Sequence, residues 1–156
     1  MEESLSSIAA RTDAAVAAAR RQLVDAVRRA HAAGMTQSEI AAQIGRSQPE
    51  VNRLLRFHGT TPHAKALRAK SSEVRRALAE AGGRRVRVFG STARGTDRPD
   101  SDVDLVFDMD EPLSLMQLSA VEKHLSELIG VAVDLVPASS LRPDLRESVL
   151  NEAVLL

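Results

Sequence analysis

The sequence has no cysteine, no tryptophan and no tyrosine, and only three phenylalanines in 156 residues. Without cysteine there is neither a disulfide framework nor a thiolate metal site, so any metal must be held by oxygen or histidine. The near-absence of aromatics leaves no evident platform on which a nucleobase could stack, so backbone contacts or aliphatic walls would have to do that work. Because tyrosine is missing, chemistry on a tyrosyl hydroxyl would have to act on another chain. No apolar run approaches the roughly 18 residues of a membrane span. The opening Met1-Glu2-Glu3-Ser4 is acidic where a secretory signal would be basic, so the expected location is cytoplasmic, with no membrane partner.

Apolar residues make up 44% of the chain, ordinary for a globular protein and enough for one domain or two small ones. The formal net charge of zero hides a division. Residues 1–89 carry 16 Lys/Arg against 8 Asp/Glu, and residues 90–156 carry 5 against 13, so the two parts stand near +8 and −8. A basic part can meet nucleic acid and an acidic part can hold cations, although opposite charges could also simply help the two parts dock.

Residues 12–33 are rich in Ala and Arg, with Val16, Leu23, Val27 and Ala30 at helical spacing and Gly34 as a stop. Thr36-Gln37-Ser38-Glu39 is a capping box that starts a second helix near Gln37, with Ile40, Ala41 and Ile44 inward and Gly45 ending it. Ser47-Gln48-Pro49-Glu50 is a second capping box, opening a third helix from about Gln48 to Arg56. Two short helices joined by a Gly-containing turn match a helix-turn-helix, and Thr36 to Arg56 resembles the DNA-reading element of bacterial regulators. On that reading Gln48, Asn52 and Arg53 are candidates for base edges, and Arg46 and Arg56 for phosphates. A single copy would bind operator DNA weakly, so a homo-oligomer is expected. The alternative is a plain helical bundle with a solvated polar face.

Phe57 to His63 has Gly, Pro and polar residues without a period and reads as a linker, in which His58 and His63 are expected to be solvated. Helix resumes over Ala64 to Ala81 with a break near Ser71-Ser72, and Gly82-Gly83 ends it before a strand from Arg85 to Phe89. Ser101 to Val106 carries Asp102 and Asp104 on one strand face, opposite Val103, Leu105 and Phe107. A helix over Leu113 to Ile129, a strand over Val131 to Val136 bearing Asp134, a helix from Pro143 to about Glu152 and a closing strand at Ala153 to Leu156 complete the chain.

The stretch Phe89-Gly90-Ser91-Thr92-Ala93-Arg94-Gly95 and the pair Asp102/Asp104 carry the chemistry. Gly90 lets backbone approach phosphate, Ser91 is placed to cap the short helix that follows, and Arg94 can reach a phosphate. Asp102 and Asp104 offer hard oxygen ligands suited to Mg²⁺, and Asp134 could join them or serve as general base. Asp108 shares their face but lies too far along the strand, roughly 13 Å from Asp104 at strand rise, and is read as solvated. Each part is weak alone; a Gly-Ser dipeptide or an Asp-x-Asp is common in turns.

Gly-Ser after a strand, Asp-x-Asp on the next and a third Asp on a later one are the parts, in order, of the polymerase-beta-type nucleotidyltransferase fold. Residues 71–156 resemble the minimal nucleotidyltransferase (MNT) family. The resemblance implies an α+β chain: an all-α helix-turn-helix domain over 1–58, a connection over 59–70, and over 71–156 a small mixed sheet with helices on one face and an open metal site on the other. It also implies Mg²⁺ and ATP, Asp102, Asp104 and Asp134 as metal ligands and catalytic groups, and Gly90, Ser91 and Arg94 at the nucleotide. Many MNT proteins are antitoxins paired with HEPN ribonucleases, and this implies transfer of AMP from ATP to a tyrosine of such a toxin. The added helix-turn-helix fits an antitoxin that regulates its own operon through operator DNA and assembles with its toxin. Two alternatives stay open: a transcriptional regulator whose nucleotidyltransferase domain senses nucleotide, and transfer to a small molecule such as an aminoglycoside hydroxyl.

Overall fold

The computed structural model describes residues 4–156; the acidic Met1-Glu2-Glu3 start lies outside the described residues. The chain divides into two compact units, one ending at Leu55 and the other spanning Arg56–Leu156.

The first unit is all helix. Helix α1 (Leu5–Ala32) begins seven residues before the expected start, because Ser4 Oγ accepts the Ser7 N–H at 3.2 Å and nothing from there to Gly34 breaks the helix. Helix α2 (Gln37–Ile44) starts at the capping box of Thr36 and Glu39, both halves of which are formed, and ends at Gly45 with φ of 65°. Helix α3 (Gln48–Leu55) starts the same way, with Ser47 Oγ accepting from Glu50 N and Glu50 accepting from Ser47 N. Val27, Ile40, Ala41, Val51, Leu54 and Leu55 form its core. No helix among the described residues is long and apolar enough to cross a membrane.

The second unit is a four-stranded mixed sheet with helices. Helix α4 (Pro62–Ala69) and helix α5 (Ser71–Glu80) lead into β1 (Gly83–Phe89), the short α6 (Gly90–Arg94) and β2 (Val103–Met109). Helix α7 (Leu115–Ile129), β3 (Val133–Pro137), a 3-10 turn at Ala138–Ser140, α8 (Pro143–Glu152) and β4 (Val154–Leu155) follow. Strand order is β3-β2-β1-β4, with β1 antiparallel to β2 and β4, and β2 parallel to β3. One face carries Val88, Leu105, Phe107, Val133 and Leu135 into a core shared with Leu67, Val74, Leu78, Leu125 and Ile129 from α4, α5 and α7. Each of these fully buried side chains contributes roughly 1.5–3 kcal/mol of hydrophobic free energy.

Three local differences from the sequence reading have clear causes. The segment read as a linker belongs to the second unit: Phe57 is buried and its N–H donates to Leu155 O at 2.7 Å, and Thr61 caps a helix with Pro62 in its first turn. Strand β1 starts at Gly83, and a bulge follows Arg84, where Arg85 takes a φ of 53°. Helix α7 starts at Leu115 because Ser114 and Gln117 make a capping box. Its Glu122 and Ser126 then accept the outward N–H groups of Leu135 and Val133, both at 2.9 Å, which closes the β3 edge against further pairing.

Candidate nucleotidyltransferase site

The second face of the sheet is assembled by strand register. Asp104 on β2 lies opposite Asp134 in the parallel pairing with β3 and opposite Phe89 in the antiparallel pairing with β1. A strand places every second side chain on the same face, so Asp102, one residue before β2, joins Asp104 there. The residue after Phe89 is Gly90, at φ of 70°, and a Cβ on it would run into the Asp104 carboxylate. Glycine is therefore required here twice, by its backbone angle and by the acid seated against it.

Asp104 is half-buried, and its pKa is pushed up to about 6, chiefly by burial and then by the nearby charges of Asp134 and Asp102, with Arg94 acting in the opposite sense. Burial also raises Asp134, with Glu122 and Asp102 adding to it. The carboxylates thus share a field that a divalent cation would relieve. All the donors are hard oxygens, and Asp102 and Asp134 are exposed to solvent, which fits Mg²⁺; that ion keeps several waters and takes one or two carboxylates plus substrate phosphate. Among the described residues, no three acidic or histidine side chains are gathered closely enough to hold a metal ion by themselves.

Helix α6 begins at Gly90, so Ser91 sits inside its first turn and does not cap it as expected; no side chain caps this turn. The turn's N–H groups remain for another acceptor. Buried Thr92 anchors α6 from below, and Gly95 closes it with φ of 74°. Arg94 pairs with Glu152 at 2.5 Å, a residue that carries no sequence motif.

Asp108 is not solvated. It accepts from Arg87 Nη2 at 2.6 Å in a part-buried pair, with Arg85 Nε at 3.7 Å; Arg87 lies opposite Val106 and shares the face of Asp104 and Asp108 by ordinary strand alternation. His63 is not solvated either: it lies in α4, buried, with Nδ1 at 3.5 Å from Asp97 Oδ2 in the loop between α6 and β2. His58 is exposed as expected. In the first unit Arg46, Gln48 and Arg53 are exposed and Asn52 is half-buried. Arg56 departs from its expected place at a phosphate: it falls one residue past α3, and its Nη1 donates to the Leu156 carbonyl at 2.6 Å.

Known proteins share this domain and its fold. Residues 71–156 match the nucleotidyltransferase domain family. The chain belongs to that family. It is 44% identical over 73 residues to the protein adenylyltransferase MntA of Thermococcus cleftensis, covering 47% of this chain and 74% of that one. It is 36% identical over 77 residues to a protein named as an adenylyltransferase in Methanocaldococcus jannaschii, covering 49% and 83%. Among solved structures, a minimal nucleotidyltransferase superposes with a TM-score of 0.54 at 44% identity, over 59% of this chain and 94% of that one. The fold is also that of a component of a toxin–antitoxin crystal structure with AMP-PNP, at a TM-score of 0.50 and 22% identity, over 56% and 69% of the two chains.

Proposed function

We propose that this nucleotidyltransferase is a protein adenylyltransferase of antitoxin type, which moves AMP from ATP to a tyrosine hydroxyl of a HEPN-type toxin. The carrying observation is the seating of Asp104 between Gly90 and Asp134, which gathers three distant segments at one spot. In this reading Gly90, Ser91 and Arg94 hold the triphosphate, using the uncapped first turn of α6 and one guanidinium. Asp102, Asp104 and Asp134 hold Mg²⁺, which when bound supplies charge neutralisation for the triphosphate. The acceptor oxygen attacks the α-phosphorus, the bond from that phosphorus to the bridging oxygen breaks, and pyrophosphate leaves with the electron pair. The acceptor proton passes to a carboxylate; Asp134, exposed and with a raised pKa, suits that role.

The names of the relatives support protein as acceptor, and the absence of tyrosine in this chain directs tyrosine modification outward. Incubation with α-labelled ATP, Mg²⁺ and the toxin encoded beside it tests the reading. Label is expected on the toxin, together with loss of its ribonuclease activity, and neither with Asp104→Ala. Label absent from the toxin but present on an aminoglycoside would replace the acceptor.

The first unit is assigned to operator DNA, with Gln48, Asn52 and Arg53 on α3 facing bases and Arg46 facing phosphate. Support comes from the two formed capping boxes around Gly45, which build two short helices with a tight turn, and from the exposure of Arg46, Gln48 and Arg53. Binding to a fragment of its own promoter, followed by fluorescence anisotropy, is the check.

A further inference from the structure

Glu152 closes α8 and is not among the residues assigned to nucleotide or metal. Its Oε1 accepts from Arg94 Nη1 at 2.5 Å, with 56% of the Arg94 side chain and 28% of the Glu152 side chain exposed. The pair stands beside Asp104: Arg94 eases the ionisation of that carboxylate and Glu152 opposes it. Directly after Ala153 the chain enters β4, where Val154 lies opposite Val88, two residues before Gly90. The tether thus returns to the strand that delivers the glycine turn.

We propose that Glu152 is a placeholder for nucleotide phosphate, occupying Arg94 in the nucleotide-free protein and yielding it when a triphosphate arrives. The inference rests on the reading of Gly90–Arg94 as the phosphate-holding turn. A guanidinium offers a planar fork of N–H donors that a carboxylate and a phosphate fill in the same way. Asp104 feels the negative charges of Asp134, Asp102 and Glu152 against the single positive charge of Arg94, and a triphosphate adds further negative charge to that spot. Of these four carboxylates, Glu152 alone is held by Arg94 in a direct ion pair and comes from a helix end, so it is the group that can withdraw. An exposed pair of this kind is weak enough to exchange, and phosphate brings more charge to the same donor. The pairing therefore sets the affinity for nucleotide and links its arrival to the last turn of α8.

Calorimetric titration of the full chain with ATP, in Mg²⁺ and again in EDTA, tests this in four forms: wild type, Glu152→Gln, Arg94→Ala and the double variant, each checked by thermal melt. Glu152→Gln should tighten ATP by about two- to five-fold, the fold-change that an exposed ion pair is worth. Arg94→Ala should weaken it, and in the Arg94→Ala background Glu152→Gln should have no further effect. Unchanged or weaker ATP binding by Glu152→Gln would overturn the proposal. So would equal tightening in both backgrounds, since Glu152 would then act as a general charge and not through Arg94. If wild type binds ATP and loses it with Arg94→Ala while Glu152→Gln does nothing, the placeholder fails and the functional reading stands. If wild type binds no ATP, both fail.

Discussion

Asp104→Asn should make the protein more stable while abolishing transfer. In the unfolded chain this carboxyl ionises near its ordinary value of 3.8, and in the folded protein near 6, because burial and the charges of Asp134 and Asp102 disfavour the ion. A raised acid pKa means that the folded state holds the proton longer. The associated stability is complete below pH 3.8, declines as pH rises, and is gone above about 6, where the ionised group is a net cost. A shift of this size would be worth about 3 kcal/mol for a fully buried group, and solvent screening of a half-buried one reduces that to roughly 1–2 kcal/mol. Asparagine cannot ionise, so in EDTA at pH 7.5 its melting temperature should exceed wild type by roughly 3–6 °C. The advantage should shrink steadily from pH 6 to pH 4. Adding Mg²⁺ should raise wild type by mass action and narrow the gap. Differential scanning calorimetry at several pH values reads all three. A variant less stable than wild type at pH 7.5, or equally favoured at pH 4 and 7.5, would refute the account of a strained, charge-crowded carboxylate.

Gly90→Ala should abolish label transfer and cost about 1–3 kcal/mol in a urea melt, since the left-handed angle and the Asp104 carboxylate both exclude a methyl group. Arg87→Ala should lower stability by about 1–3 kcal/mol by leaving Asp108 part-buried without its 2.6 Å partner, and Asp108→Asn on top of it should recover part of that loss. In the first unit, Asn52→Ala should weaken operator binding by about 1–3 kcal/mol at physiological salt with little change in salt slope, whereas Arg46→Ala should lower the slope by roughly one. Anisotropy titrations at three salt concentrations separate the two.

The helices and strands were legible wherever local chemistry decides them. Thr36/Glu39 and Ser47/Glu50 each satisfy free amides within four residues, and Gly45 and Gly130 stop helices by adopting angles other residues avoid. Asp102, Asp104 and Asp134 were legible because strand alternation sets them apart from Val103, Leu105 and Val133. What escaped is long-range. Arg87 meets Asp108 through the register of β1 on β2, which sets it opposite Val106, two residues before Asp108. Nothing local to His63 announces Asp97, 34 positions on, and nothing local to Arg94 announces Glu152, 58 positions on. Helix α4 could have been started at Thr61-Pro62, a cap followed by a first-turn proline. Gly59 and Pro62 mark loops as readily as helix starts, so composition alone does not separate the two.

The central strand explains why so short a unit can form such a site. Strand β2 is antiparallel to β1 and parallel to β3, so a single residue, Asp104, meets the end of one neighbour and the start of the other. The antiparallel side delivers Gly90 as β1 ends, and the parallel side delivers Asp134 as β3 begins. A parallel neighbour requires a crossover, and here α7 supplies it. The same helix then does a second thing. Glu122 holds the Leu135 N–H at the sheet edge, and its charge opposes the ionisation of Asp134. One carboxylate thus closes an edge against aggregation and lifts the proton affinity of the candidate base. Folding and the electrostatics of the acidic face share that residue, and the cost of crowding acids on one face is what a bound cation would offset.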